Sequence, residues 1–114
     1  MNVSGAQLRQ RCVRTTISTE EGGEQEQVQA GITRLVWHTS LPLVICSYTD
    51  GNICIWDVRV GKLIKTVSGH EDMINDMCVN FVIGNNNEDV TAVVVTGSDD
   101  RMVKMFEIPS SSLL

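Results

Sequence analysis

An internal repeat constrains the fold of this chain more than any other feature of its sequence. Residues 43–58 align with residues 93–108 at an offset of 50, with apolar residues facing apolar residues and Asp50 facing Asp100. Upstream of these segments the best offset is 42, so the second copy contains an insertion, which we place at the polar, Asn-rich residues 84–89. A repeat of 40 to 50 residues is typical of architectures built by stacking one small structural unit on the next.

Each copy of the repeat is predicted to form short strands. Residues 43–47 and 91–96 are almost continuously apolar, which indicates strands buried on both faces. Asp50 and Gly51 form a strong hairpin signal between two strands of the first copy. A further strand is predicted within residues 8–17. The predicted strands of the repeat are 32–37, 43–47, 52–58 and 62–67 in the first copy, and 74–81, 91–96 and 102–108 in the second.

Two dipeptides carry a family resemblance. Gly69-His70 precedes the second copy and Trp56-Asp57 closes the first, and this order resembles the blades of WD40 propellers over residues 28–108. The resemblance implies an all-β fold, a WD40 β-propeller fragment of about two four-stranded antiparallel blades whose ring is not closed. The implied segments are 1–17 as the outer strand of a preceding blade, 18–27 as an acidic loop, 28–68 as a WD40 blade, 69–108 as a degenerate, three-stranded last blade with the insertion 84–89, and 109–114 as a tail.

The length of the chain limits how much of a propeller it can form. A closed ring needs at least about four blades of ~40 residues, which is more than 114 residues provide. We therefore expect the chain to need further blades, either from its own full-length chain or from another chain. The sequence is interpreted as a fragment of a longer protein or as a truncated isoform.

WD40 blades contain a hydrogen-bond relay that joins a Trp indole, a Ser or Thr hydroxyl, the Gly-His imidazole and a turn Asp. This sequence departs from the relay at three positions: Phe106 stands in the Trp position of the second copy, and Cys46 and Val28 replace the hydroxyl and the His of the first. The resemblance assigns the relay to the residues that match it, namely His70, Thr96 and Asp100 in the second copy and Asp50 and Trp56 in the first.

The order and spacing of the motifs also resemble the C-terminal blades of the angio-associated migratory cell protein family. The resemblance implies a non-catalytic protein-protein interaction scaffold linked to cell migration. The alternative, implied by fungal relatives, is an acidic escort for a basic ribosomal protein. A partner protein is expected to contact the loops on one face of the blades, at Tyr48, Thr49, Glu71, Asp72, Met73, Asp99 and Arg101.

Charge and motif content argue against other classes of function. A formal net charge of −5 and the lack of a clustered Lys/Arg stripe disfavour nucleic-acid binding. An enzyme is the least favoured class, because none of the usual nucleophile, phosphate-loop or metal motifs is present and the four cysteines form no C-x-x-C pair. We expect no cofactor, no metal and no membrane insertion. The predicted location is cytoplasmic, with the nucleus and the cell surface as alternatives.

Overall fold

The computed structural model describes residues 5–14, 16–19, 25–28, 30–84 and 89–114. Within these residues the chain is all-β, apart from one short 3₁₀ helix at its C-terminal end. The strands are β1 (Thr16–Thr19), β2 (Gln25–Val28), β3 (Ile32–Trp37), β4 (Leu43–Tyr48), β5 (Asn52–Asp57), β6 (Lys62–Ser68), β7 (Ile74–Ile83), β8 (Val90–Ser98) and β9 (Val103–Pro109), and the helix is Ser110–Leu113.

The strands form two larger antiparallel sheets and one small hairpin. Sheet 1 has the order β3-β4-β5-β6, sheet 2 has the order β7-β8-β9, and β1 pairs with β2. All seven strands predicted in the two copies of the repeat are present, each within two residues of its predicted bounds. The described structure is an open pair of blade-like sheets, which confirms the predicted fold class.

The two larger sheets pack face to face around one hydrophobic core. We call the surface of each sheet that points into this core its core face. Sheet 1 supplies branched apolar side chains from β4 and β5, and sheet 2 supplies side chains from all three of its strands. The buried members of this core are Leu43, Ile45, Ile53, Ile55, Ile74, Met77, Ala92, Val94, Ile108 and Leu113.

The opposite face of sheet 1 is covered by an extended segment, residues 10–14, which we call the strap. Gln10 contacts the β5–β6 turn at Gly61, Cys12 packs on the sheet, and Arg14 reaches the β4–β5 turn at Asp50. We call the surface beneath the strap the strap face of sheet 1. Its buried residues are Val44, Cys46, Tyr48, Cys54 and Trp56.

The strand predicted within residues 8–17 is wrong for its larger part. Residues 7–14 are all described and none of them lies in a strand. The strand that does form, β1, pairs with β2. It pairs in this way because a short antiparallel hairpin satisfies the backbone groups of both segments locally. The predicted acidic loop 18–27 therefore overlaps both strands of this hairpin, and its central residues 20–24 lie outside the described residues.

Strands β4 and β8 were predicted to be buried on both faces, and only β4 is. Every residue of β4 is buried, because sheet 2 covers one face of the strand and the strap covers the other. In β8, only Ala92, Val94 and Thr96 are buried, and they point toward sheet 1. The other side of sheet 2, which we call its outer face, is open to solvent. The prediction for β8 is wrong because burial on both faces requires a second covering layer.

The segment predicted as a C-terminal tail packs against sheet 2. The Asp89 carboxylate accepts hydrogen bonds from the hydroxyl of Ser110 and from the backbone N–H and hydroxyl of Ser111, which holds the 3₁₀ helix beside the start of β8. Leu113 is thereby buried in the core, at 5% exposure. Of the predicted insertion, residues 85–88 lie outside the described residues.

Candidate protein-interaction surface

Three connections between strands meet at one edge of the two sheets. We call this edge the turn surface; it comprises residues 49–51, 69–73 and 99–102. Backbone amides of residues 69 and 70 donate to the carbonyl of Gly51, and the amide of Asp99 donates to the carbonyl of Met73. The Ser98 hydroxyl donates to the carbonyl of Asp72. These bonds link the turns of both sheets into one continuous surface.

Gly51 permits this close approach of the turns. Its φ of +88° lies in the left-handed region, and a Cβ at this position would lie 2.1 Å from the carbonyl oxygen of His70. Only glycine fits both the backbone conformation and the contact. The Asp-Gly signal in the sequence therefore marks the hairpin and also the point where sheet 1 meets the β6–β7 connection.

A buried polar network underlies the turn surface in sheet 2. His70 Nδ1 lies 2.8 Å from Asp100 Oδ2, and His70 Nε2 lies 2.6 Å from Thr96 Oγ1. Because a carboxylate only accepts, Nδ1 donates to Asp100, and when Nε2 carries no proton the Thr96 hydroxyl donates to it. The structure thus brings together the three residues that the sequence assigned to the relay of the second copy.

The carboxylate of Asp100 also fixes the surrounding backbone. It accepts hydrogen bonds from the amides of Glu71 and Met102, in addition to the bond from His70. Burial opposes ionisation of Asp100, but these hydrogen bonds outweigh burial and hold the pKa of the carboxyl below its ordinary value. Phe106, which stands in the Trp position, is half-buried and has no polar group to add to the network.

Sheet 1 uses a different network, in which Arg14 takes the place beside the turn Asp. Arg14 Nη2 lies 2.7 Å from Asp50 Oδ2, and the guanidinium lies 4.7 Å from the ring centroid of Tyr48. Trp56 Nε1 donates to Tyr48 Oη at 3.0 Å. The structure therefore does not join Asp50 and Trp56 directly; it links them through Arg14 and Tyr48.

Sequence reasoning missed the role of Arg14. The residue lies 36 positions before its partner Asp50, and the repeat alignment placed Val28 at the His position instead. The available signal was the spacing of Gln10, Cys12 and Arg14, three residues at alternate positions that an extended segment directs toward one side.

The predicted contact residues divide into exposed and buried side chains. Met73 is half-buried. Tyr48 was predicted to be exposed and is 3% exposed, so this prediction is wrong. Tyr48 is the last residue of β4, and its side chain lies on the strap face between Trp56 and Arg14. The remaining predicted contact residues are exposed on the turn surface: Thr49, Glu71, Asp72, Asp99 and Arg101.

Arg101 stands out within the turn surface because of its backbone. Its φ of 71° lies in the left-handed region, and it is the one non-glycine residue with positive φ among the described residues. This conformation costs a residue with a Cβ about 1 kcal/mol or more. The Arg101 side chain is exposed, and its backbone amide donates to the carbonyl of Ser98, which closes the turn.

Among the described residues, Cys46 and His38 are a buried thiol and a buried imidazole, at 4% and 5% exposure. Burial raises the pKa of the Cys46 thiol to about 11, which suppresses the reactive thiolate. His38 packs edge-on against Phe81 of sheet 2, whereas Cys46 lies under the strap, so the two do not form a thiol–imidazole pair. No group of three or more His, Cys, Asp or Glu side chains in the described ranges is placed to hold a metal ion.

In the part of the chain that the structure describes, no helix is both long enough and apolar enough to cross a membrane.

Comparison with protein families identifies the class of the fold. The family model described as "WD domain, G-beta repeat" matches residues 23–57 and 61–107, which is more than half of the chain. The chain belongs to the WD40 family. The first matched segment contains β3, β4 and β5 of the first copy, and the second contains β6 of the first copy together with the strands of the second copy. The WD40 resemblance predicted from Trp56-Asp57 and Gly69-His70 is confirmed.

Relatives of this WD40 chain include proteins with two different names. It is 32% identical over 90 residues to the angio-associated migratory cell protein of Canis lupus familiaris, a match that covers 79% of this chain and 19% of that protein. The human protein of the same name is 31% identical over the same length. The chain is also 32% identical over 85 residues to eukaryotic translation initiation factor 3 subunit I of Culex quinquefasciatus, covering 75% of this chain and 24% of that protein.

The chain spans about a fifth to a quarter of the length of these curated relatives. Among solved structures it is similar to the computationally designed Ika4 protein. That match has a TM-score of 0.49 at 26% identity and covers 76% of this chain and 49% of the designed chain.

Proposed function

We propose that this WD40 chain is a non-catalytic protein-interaction scaffold and that a partner protein binds to its turn surface. The observation that carries the proposal is the combination of rigid backbone and exposed side chains at this surface. The three turns are fixed to one another by backbone hydrogen bonds, while Thr49, Asp72 and Asp99 remain exposed. Exposed side chains on a rigid scaffold suit binding, because little conformational entropy is lost when a partner docks.

The strained backbone of Arg101 supports this location for the binding site. Strain of this kind persists where surrounding structure enforces it, and it is concentrated at functional sites. The neighbouring network of Asp100 holds the turn, since the carboxylate accepts from the amide of Met102. Arg101 is thereby presented to solvent with its guanidinium available to a partner.

The charge of the surface favours a basic partner. Glu71, Asp72 and Asp99 are exposed there with Arg101 as the one basic residue, and the whole chain has a net charge of −5. Complementary charge accelerates association and disfavours acidic competitors. This observation supports the escort of a basic ribosomal protein, whereas the name of the angio-associated migratory cell proteins supports a link to cell migration.

Site-specific photo-crosslinking tests the location of the binding surface. A photo-reactive amino acid at Asp72, on the turn surface, is expected to capture a partner protein from cell extract. The same probe at Thr39, an exposed residue of the β3–β4 connection that lies away from the turn surface, is the control and is expected to capture none. Equal capture of the same protein from both positions would contradict the proposed surface.

The captured partner is then purified and its affinity is measured for the original chain and for Arg101→Gly. Glycine keeps the left-handed turn and removes the side chain, so the free energy of unfolding is expected to rise by up to about 1 kcal/mol. The dissociation constant is expected to rise about tenfold, the equivalent of ~1.4 kcal/mol. A more stable variant that binds with unchanged affinity would refute a role for Arg101, and an acidic captured protein would rule out the escort of a basic client.

A further inference from the structure

Three of the four cysteines of this chain lie together on the strap face of sheet 1. Cys46 and Cys54 are buried there, at 4% and 0% exposure, and Cys12 of the strap packs against the same cluster. The fourth, Cys78, is exposed on β7 of sheet 2. All four are free thiols. Thiols that share one face can exchange bonds with one another, whereas an isolated thiol has no such neighbour.

Cys46 and Cys54 are directly opposite each other in the antiparallel pair of β4 and β5. Both belong to the same buried cluster, so their side chains lie on the same face of the sheet. The Cα atoms of opposite residues in such a pair are about 4.5–5.5 Å apart, and a disulfide needs about 4.4–6.8 Å. The backbone therefore holds these two cysteines at a spacing that allows a disulfide without rearrangement of either strand.

The two opposite thiols are protected from direct attack on an oxidant. Burial, together with the neighbouring Cys54 and Cys12, raises the pKa of the Cys46 thiol to about 11. Burial also raises the pKa of the Cys54 thiol, although the hydrogen bond with Thr66 and the charge of Arg14 act in the opposite direction. Because the thiolate is the reactive form, neither buried cysteine is expected to be oxidised first.

Cys12 is the member of the cluster that solvent reaches. It is partly exposed. It contributes to a cavity of about 170 Å³ that is lined by Cys12, Val13, Arg14, Ala30, Ile32 and Tyr48. A cavity needs only about 10–15 Å³ to hold a water molecule, so hydrogen peroxide fits. A charge on Cys12 raises the pKa of Cys46, which places these two thiols near each other. An oxidant that reacts with Cys12 is therefore in reach of the buried pair.

We propose that Cys46 and Cys54 are a redox-active dithiol that a peroxide oxidises to a cross-strand disulfide, and that Cys12 is the thiol with which the peroxide reacts. This site lies on the strap face and is separate from the turn surface. The proposal and the proposed function can therefore fail independently of each other.

The oxidation takes three steps. The Cys12 thiolate attacks one oxygen of hydrogen peroxide and becomes a sulfenic acid, while the O–O bond breaks and the departing hydroxide takes up the proton that Cys12 released. The Cys46 sulfur then attacks the Cys12 sulfur, and the hydroxyl leaves with the Cys46 proton as a second water. Finally the Cys54 sulfur attacks Cys46, and Cys12 leaves as a thiol with the proton of Cys54. The buried pair supplies the two electrons that reduce one peroxide to two waters.

Thr66 and Arg14 assist the last step. Both favour negative charge on the Cys54 sulfur, and Thr66 Oγ1 lies 3.7 Å from Cys54 Sγ. The product closes only the β4–β5 hairpin, and a short loop adds little entropic stabilisation to a disulfide. We therefore expect glutathione to reduce the bond again, which makes it a reversible modification.

The first experiment maps the bridge in a Cys78→Ser chain, which lacks the exposed thiol that would join separate chains. After treatment with hydrogen peroxide the intact mass is expected to fall by two hydrogen atoms. Cleavage at Arg34 and Asp50 places the three remaining cysteines in three peptides. Those of Cys46 and Cys54 are expected to stay joined until reduced glutathione separates them.

Two results of this mapping would count against the proposal. Oxidation that leaves the peptides of Cys46 and Cys54 unjoined would overturn it. A bridge that reduced glutathione does not open would contradict its reversible character.

Two variants in the same background separate the roles of the thiols. Cys54→Ser keeps the size of the side chain and removes the last attacking sulfur, so oxidation is expected to stop with Cys12 joined to Cys46. Cys12→Ser leaves both sheets unaltered and is expected to slow formation of the Cys46–Cys54 bridge at least about tenfold, because the exposed thiol is lost. An unchanged rate would refute the entry role of Cys12. The mapping itself contains no buried substitution, so it decides the proposal even where Cys54→Ser does not fold.

Cys78 is the matched control within the original chain, because it is exposed and lies on the other sheet, away from the thiol cluster. Dimedone, which traps sulfenic acids, is expected to label Cys78 during oxidation and to leave Cys12 largely unlabelled, since Cys46 removes its sulfenic acid. Equal and lasting labelling of both cysteines would mean that no neighbouring thiol resolves Cys12, and it would overturn the proposed relay.

Discussion

At the scale of single residues, two different side chains perform the same task in the two sheets. Both turn aspartates, Asp50 and Asp100, bind a cationic or imidazole side chain, which is Arg14 in sheet 1 and His70 in sheet 2. The hydrogen bond from Arg14 Nη2 offsets the burial of Asp50 and lowers the pKa of that carboxyl. Buried polar groups need partners more than they need particular residue types, so the two sheets satisfy the same requirement with different chemistry.

Thr96→Val tests the network of sheet 2. Valine has the shape of threonine and no hydroxyl, so Nε2 of His70 loses its donor in a position where Thr96 is 1% exposed. The free energy of unfolding is expected to fall by about 1–3 kcal/mol, measured by urea denaturation. Thr39→Val, the same change at an exposed residue, is the control, and an equal effect of the two substitutions would contradict the prediction.

His38 gives the chain a predicted dependence on pH. Its Nδ1 accepts hydrogen bonds from the backbone amides of Ser40 and Leu41, both at 3.1 Å, and burial lowers the pKa of the ring. The folded state therefore releases the proton more readily than the unfolded state. The stability that neutral His38 contributes is present above its unfolded pKa of about 6.5 and is lost as the pH falls below that value.

His38→Asn separates this effect from other titrations. The Asn carbonyl keeps an acceptor for the amide two residues ahead, as in an Asx-turn, but it does not titrate. Urea denaturation at pH 7 and pH 5 is expected to show a smaller loss of stability in the variant than in the original chain. Aspartates 50 and 100 do not interfere, because their pKa values are lowered from 3.8 and lie below this range. An identical loss in both proteins would assign the pH dependence to another group.

At the scale of elements, hairpins account for most of the fold, and contacts outside the hairpins account for its irregular parts. All the strands of sheets 1 and 2 pair with a neighbour in sequence, which is why the alternation and turn signals located them. The strap and the C-terminal 3₁₀ helix have no such local signal. Each is held by side-chain contacts with residues far away in the sequence, such as the contact of Asp89 with Ser111.

The C-terminal helix provides a test with two adjacent leucines. Leu113 is 5% exposed within the core, whereas Leu114 is 92% exposed. Leu113→Ala is expected to lower the free energy of unfolding by about 2–5 kcal/mol through lost burial and the cavity that remains. Leu114→Ala is expected to change it by less than about 0.5 kcal/mol. Equal effects in urea denaturation would mean that the helix does not pack against sheet 2 in solution.

At the scale of the whole molecule, the two sheets differ in how their faces are covered. Sheet 1 lies between sheet 2 and the strap, while sheet 2 is covered only on its core face among the described residues. The sequence predicts the same burial for both sheets, since β4 and β8 are each rich in apolar residues. The exposed Val103 and Met105 follow from this difference in covering.

The repeat, the strands and the WD40 family could be predicted from the sequence because their signals are local. Alternation, an Asp-Gly turn and a Gly-His before the second copy each arise within a few residues and do not depend on the rest of the chain. The hydrogen-bond network of His70, Thr96 and Asp100 was also expected, because the family resemblance assigned these three residues to one relay. Three features could not be predicted from the sequence: the role of Arg14, the burial of Tyr48 and the burial of Leu113. Each depends on a contact between segments that sequence patterns do not connect.

The amino-acid sequence by itself determined the period of this protein, the order of its strands and the turns between them. Short-range sterics and alternation of apolar side chains are sufficient for these features. Only the tertiary structure decided which faces are covered, which polar groups find partners and which side chains remain at the turn surface. Burial is a property of two surfaces in contact. The corresponding strands of the repeat therefore differ: β4 is fully buried in sheet 1, whereas β8 is buried on one face only in sheet 2.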